Sequence, residues 1–184
     1  MTDTNKFYYT GIGSRSCTKK ELPEVWHCMN RVAKCLAEHA ILRSGGAEGA
    51  DWAFEYGCII NGGEMEIYLP WNGFNGKWED REDGYYEMAD HTFRQAMEIA
   101  QEFHPYWNNL SNGARLLMTR NTYQVLGQDL ETPSTCIIAY TENGELKGGT
   151  SQALRIASSY NVPIYNLGKE KVDVQSVLDW ISDL

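Results

Sequence analysis

Three short stretches of this 184-residue chain combine glycine with side chains able to hold a phosphorylated sugar. They are Gly11-Ile12-Gly13-Ser14-Arg15, Ser44-Gly45-Gly46-Ala47-Glu48-Gly49-Ala50-Asp51 and Lys147-Gly148-Gly149-Thr150-Ser151. Glycine lets the backbone take positive φ and lets a ligand approach main-chain N–H groups without meeting a Cβ. Such N–H groups, at the start of a helix, attract anions. Gly11, Gly13, Ser14 and Arg15, with Gly148, Gly149 and Thr150, are therefore candidate phosphate ligands. Glu48 and Asp51 have the opposite chemistry: a carboxylate repels phosphate and accepts from hydroxyls or amines. Ser44, Gly45, Gly46, Glu48 and Asp51 are accordingly read as contacts to ribose or to a second phosphate. Glu48 and Asp51 are also the candidate catalytic groups, because a carboxylate beside an anomeric carbon stabilises the oxocarbenium-like transition state of N-glycosidic cleavage. The plainer alternative for the central stretch is a tight strand-to-helix turn with Asp51 in the first helical turn.

The first stretch has the two leading glycines of the dinucleotide fingerprint but Ser16 where the third belongs, and no acid follows the second strand. Ordinary NAD binding is a poor reading on that ground, and no cofactor is assigned. Arg15 and Arg43 stand where that fold would have a glycine and an acid, which fits phosphate clamps; surface ion pairs are the alternative.

Alternating strands and helices are expected to position these loops. Phe7 to Thr10 reads as a first strand. Thr18-Lys19-Lys20-Glu21 is a capping-box pattern opening a helix with Leu22, Val25, Met29, Val32 and Leu36 on its buried stripe. Ala40 to Leu42 is a second strand, Ala47 to Ile60 a second helix, and Glu64 to Leu69 an alternating third strand ended by Pro70. An aromatic-rich excursion follows at about 71–110, either an extra packing layer or a lid. Within it a helix is expected to carry Tyr86, Ala89, Phe93, Met97, Ala100 and Phe103 on one side, while Trp71, Phe74, Trp78 and Trp107 are candidates for stacking on a base. Helices from Gly113 to Leu126, from the third glycine stretch to Tyr160 and from Asp173 to Ile181 complete the pattern, with strands at Thr135 to Tyr140 and Val162 to Tyr165. This alternation predicts a single α/β domain, a Rossmann-like three-layer sandwich with a mainly parallel sheet and helices on both faces. All three glycine stretches then fall at the carboxyl edge, where open α/β sheets bind ligands.

Composition narrows the partners. The fractions of 42% hydrophobic and 22% charged residues are those of a globular protein. No run approaches the ~20 apolar residues of a membrane span, and Met1 to Lys6 lack the apolar core of a signal peptide, so no membrane partner is expected and the cytoplasm is the default compartment. Cys17, Cys28, Cys35, Cys58 and Cys136 are odd in number and widely spaced, which predicts reduced, mostly buried thiols. No structural metal is expected, since His27, His39, His91 and His104 show no ligand spacing. A net charge of −9 with no Lys/Arg-rich segment disfavours a polyanionic nucleic acid and favours a small ligand in one cleft.

Together, Gly11-Ile12-Gly13-Ser14-Arg15, Ser44 to Asp51, Arg120-Asn121 before Leu126-Gly127, and Gly148-Gly149-Thr150 resemble the successive signatures of the SLOG superfamily, most closely its branch of DNA-processing A-like proteins. The resemblance spans about residues 7 to 167. It implies a Rossmann-like sheet, a pocket for nucleotides or nucleotide-derived ligands with Arg120 and Asn121 at its edge, and loose homodimers in several branches. Two departures stand out. Relatives that hydrolyse nucleoside monophosphates carry a glutamate three residues after the threonine of the last signature, where this chain has Ala153. Relatives that process DNA bind single strands through a basic surface, and this chain is acidic. The leading reading is a binder of a nucleotide-derived small molecule; small members of the superfamily are similar to sensors and sequesterers of nucleotide signals in conflicts between bacteria and phages. The alternatives are an N-glycosidic-bond hydrolase using Glu48 or Asp51, and a single-stranded DNA-binding accessory protein using the exposed aromatics.

Overall fold

The computed structural model describes residues 6–184. The reading of the amino terminus rests on Met1 to Asn5, which lie outside the described residues. Six strands form one sheet: β1 (Phe7–Gly13), β2 (Ala40–Ser44), β3 (Glu64–Leu69), β4 (Tyr85–Glu87), β5 (Cys136–Tyr140) and β6 (Ile164–Asn166). Their order is β4-β3-β2-β1-β5-β6, and every neighbouring pair is parallel. The chain is therefore an α/β protein with a Rossmann-like topology. The order reverses at β1, which lies between β2 and β5, so the crevice of such a sheet opens beyond the carboxyl ends of β1 and β5.

Helices cover both faces because the strands are apolar on both faces. One layer holds α1 (Pro23–Leu36), α2 (Ala50–Ile59) and α6 (Val174–Ser182); the other holds α3 (Phe93–Glu102), α4 (Asn112–Leu126) and α5 (Gly148–Ser159). Each layer has its own apolar cluster. The first gathers Met29, Val32, Phe54, Leu42 and Ile138; the second gathers Ile12, Tyr68, Tyr123, Ile137 and Ile156. Among the described residues, no helix is long and apolar enough to cross a membrane.

Several elements depart from expectation. Thr18 Oγ1 accepts from the Glu21 N–H at 3.1 Å, so the predicted cap exists, but it closes a turn, and α1 begins at Pro23. Cys28 is buried, near enough to Asp173 ahead of α6 for that carboxylate to act on its thiol, while Cys35, two turns further along α1, is exposed. Cys17, Cys58 and Cys136 are buried. The excursion contains β4, which the sequence pattern hid. Tyr86 and Ala89 were expected on one side of a helix; instead Tyr85-Tyr86-Glu87 pair with Ile67, Tyr68 and Leu69 at the sheet edge, and α3 starts only at Phe93, after Ala89. A run of three residues is too short for period-2 alternation to register. The excursion is thus packing rather than lid: it supplies an edge strand to the sheet and a helix to the second layer.

Candidate functional site

A cavity of about 580 Å³ opens at the reversal of strand order. The end of β1 and the loop after it contribute Gly13, Ser14 and Arg15; the end of β5 and the segment after it contribute Tyr140, Thr141, Glu142 and Asn143; the start of α5 contributes Gly148, Gly149 and Thr150. Asp51 from α2 and Arg120 and Asn121 from α4 reach it from opposite helical layers.

The carboxyl edge is held together by Asp51. Its buried carboxylate accepts from the Ala47 N–H at 3.4 Å, with the N–H groups of Gly13 and Gly45 near enough to act on it, and its Oδ2 lies 3.7 Å from Arg120 Nη1. Arg120 also donates to the Gly45 carbonyl, and its buried Nε has no hydrogen-bond partner. Burial pushes the Asp51 carboxyl above its ordinary value, opposed first by Arg120 and then by the three N–H groups. Burial likewise lowers Arg120 to about 10, against the pull of Asp51, so the guanidinium remains charged at neutral pH. One main-chain N–H of the second glycine stretch, that of Ala47, is therefore taken by the chain's own carboxylate.

The glycines of the first two stretches serve close packing. A Cβ on Gly11 would lie 2.4 Å from the Phe54 ring, and one on Gly13 would lie 2.7 Å from Ala50 Cβ. Gly49, at φ +80°, would set a Cβ 2.5 Å from the carbonyl oxygens of both Ser14 and Arg15. These positions bring α2 against β1 and seat the β1–α1 loop on the N-terminus of α2, where Ala50 N–H donates to Ser14 O at 3.2 Å.

Other predicted residues lie away from the cavity. Gly11 and Ser44 are buried, and Ser44 Oγ donates to Gly11 O at 2.7 Å. Gly45 sits beneath Arg120, and the Gly46 carbonyl accepts from Asn75 Nδ2 and Lys77 Nζ of the excursion at 3.0 and 3.1 Å. Glu48 is exposed and lines a second cleft on the outer side of the same turn. Arg43 is no phosphate clamp. It is buried, pairs with Glu66 at 2.7 Å, donates to Thr132 O at 2.5 Å and lies 3.8 Å from the centre of the Tyr8 ring. Ala153 is wholly buried in the second apolar cluster and is not among the residues lining the cavity. Of the four stacking candidates, Phe74 and Trp107 are buried, whereas Trp71 and Trp78 are exposed.

Two halves of the cavity differ chemically. Arg15 and the first turn of α5, which no side chain caps, make one side favourable to an anion. Asn121 positions that turn by donating from Nδ2 to Gly149 O at 3.1 Å and to Gln152 Oε1 at 3.0 Å. Leu117, Met118 and Tyr140 form an apolar wall, and Glu142 and Glu145 stand on the rim. The residues after β5 were missed because a strand end carries no sequence signature; only the strand order puts Tyr140 to Asn143 opposite Gly13. Asn166 links β6 to this edge, accepting from the Thr141 N–H at 3.1 Å and donating to Thr141 Oγ1 at 2.7 Å.

No family model and no curated protein sequence matches the chain. An X-ray structure of DNA processing protein A (DprA) from Streptococcus pneumoniae is similar to it at 16% identity with a TM-score of 0.39, covering 95% of this chain and 61% of that one.

Proposed function

We propose that this chain binds a nucleotide or nucleotide-derived small molecule in the cavity between β1 and β5, as a binder that returns its ligand intact. The observation that carries the reading is the pairing, within one cavity, of an anion-favouring side with an apolar wall: Arg15 and the uncapped start of α5 face Leu117, Met118 and Tyr140. Phosphate suits the first, a base or sugar face suits the second, and the volume is that of a small-molecule site. The positions of the carboxylates favour binding over hydrolysis. Asp51 is buried against Arg120 and accepts from the Ala47 N–H, and Glu48 lies on the outer cleft, so neither is free to stand beside an anomeric carbon in this cavity. The order of the glycine-rich signatures, similar to that of the SLOG superfamily, supports the same ligand class.

Purified protein should be denatured and the released small molecules identified by mass spectrometry, alongside calorimetric titration with nucleoside monophosphates. A nucleotide released in stoichiometric amount, or saturable binding of a nucleotide, supports the reading. Multiple turnovers to free base in the same mixtures would overturn it and make the chain a hydrolase.

A further inference from the structure

A second cleft of about 650 Å³ lies on the outer side of the Ala47–Gly49 turn. Three aromatic rings line it in a row. Trp26 of α1 lies 6.2 Å from Tyr56, and Tyr56 lies 5.6 Å from Trp52, all at shallow tilts of 37° and 38°. Trp52 and Tyr56 are 39% and 41% exposed, far more than packing of α2 requires. Lys77 Nζ stands 5.2 Å from the Trp52 ring centre and Lys19 Nζ 5.8 Å from that of Trp26, so the cleft carries cations above its π faces. Glu48 borders it and is exposed. Trp26 is buried behind the other two rings and Lys77 Nζ is held by Gly46 O and Glu55, so the groups open to a ligand are Trp52, Tyr56, Lys19 and Glu48. These match a nucleotide whose base stacks on a ring, whose phosphate meets Lys19 and whose exocyclic amine or ribose hydroxyl donates to the carboxylate.

The two cavities are neighbours. Ala47 lines both, and the turn that divides them packs through Gly49 directly on the backbone of Ser14 and Arg15 in the first. Resting on the reading of the first cavity as a nucleotide site, we infer that the preferred ligand is a dinucleotide: one nucleotide fills the cavity between β1 and β5, the linking phosphate passes Arg15 and the Ala47–Gly49 turn, and the second base stacks on Trp52. A mononucleotide fills only half of this arrangement.

Calorimetric titrations with AMP, 5′-phosphorylated diadenylate and decaadenylate, at low and high salt, test the inference. The dinucleotide should bind about tenfold or more tightly than AMP, Trp52→Ala should remove that advantage while leaving AMP binding in place, and Trp52→Phe should retain most of it. Trp52 is on the surface, and thermal melts of both variants check that they remain folded. Equal affinities for AMP and the dinucleotide, or a preference untouched by Trp52→Ala, overturn the inference. Decaadenylate binding far above that of the dinucleotide, falling steeply with salt, overturns it in favour of a strand-binding groove. AMP binding that is weakened by Arg15→Ala but not improved by a second nucleotide confines the failure to the outer cleft. Absence of binding by both AMP and dinucleotide overturns the reading of the first cavity as well.

Discussion

Single side chains divide into those that face the cavity and those that hold its walls. Arg15 belongs to the first kind, being exposed on the cavity rim. A charge-assisted hydrogen bond to phosphate contributes roughly 1.5 to 3 kcal/mol, so Arg15→Ala should weaken nucleotide binding about ten- to a hundredfold with an unchanged melting temperature. An effect smaller than twofold in the titration would reduce Arg15 to a surface cation. Ala153 belongs to the second kind. The glutamate of hydrolysing relatives, introduced as Ala153→Glu, would enter an apolar cluster with Ile12, Tyr123 and Ile156 around it, where an unpaired carboxylate costs several kcal/mol. This variant should show a lower urea midpoint and release no base from nucleoside monophosphates. Full stability would mean that position 153 reaches solvent after all.

At the scale of elements, the Asp51–Arg120 pair joins the two helical layers across the edge of the sheet. Arg120 leaves α4, passes under Gly45 and meets a carboxylate rooted in the first turn of α2. Phe74 from the excursion covers the pair, its ring centre 5.9 Å from the guanidinium carbon. The excursion is pinned in turn: Lys77 Nζ lies 3.5 Å from the buried Glu55, which also accepts from Tyr85 of β4 at 2.7 Å. Asp51→Ala would strand a buried guanidinium and the Ala47 N–H at once. Removing one member of a buried ion pair typically costs about 3 to 5 kcal/mol, so the urea midpoint should fall sharply and ligand binding should fail with it. Little loss of stability would show that water replaces the carboxylate and that the layers are joined elsewhere.

Across the whole molecule, burial sorts five cysteines that the sequence cannot tell apart. Cys17 and Cys136 are pushed up to about 12, and Cys28 and Cys58 to about 11, chiefly by burial, while Cys35 is exposed. The thiolate is the reactive form, so at pH 8 the buried thiols are protonated as well as shielded. Alkylation of native protein should add one label, at Cys35, by peptide mass spectrometry, and denaturant should release the other four sites. Rapid native labelling at Cys17 would mean that the loop between β1 and α1 opens readily. The net charge of −9 acts at this scale too. It repels a long polyanion over distance, an effect that salt screens.

The alternation of strand and helix was legible from local pattern because side-chain periodicity is local: β3 occupies Glu64–Leu69, where polar and apolar residues alternate, and α4 ends at Leu126 before Gly127. The parallel sheet followed from the same alternation, and with it the edge at which the glycine loops gather. Which of those loops face one another depends on strand order, and strand order is settled by contacts far apart in the chain. Only the tertiary structure set Tyr140 to Asn143 of β5 and its following turn opposite Gly13, turned Arg43 inward to Glu66, and sent Glu48 to the outer cleft. It also decided what the glycines do. In sequence they look alike as anion cradles; in the fold, Gly11, Gly13 and Gly49 serve the approach of α2 and the β1–α1 loop, because a Cβ at these positions would overlap Phe54, Ala50 or the carbonyls of Ser14 and Arg15, neighbours brought there from other parts of the chain.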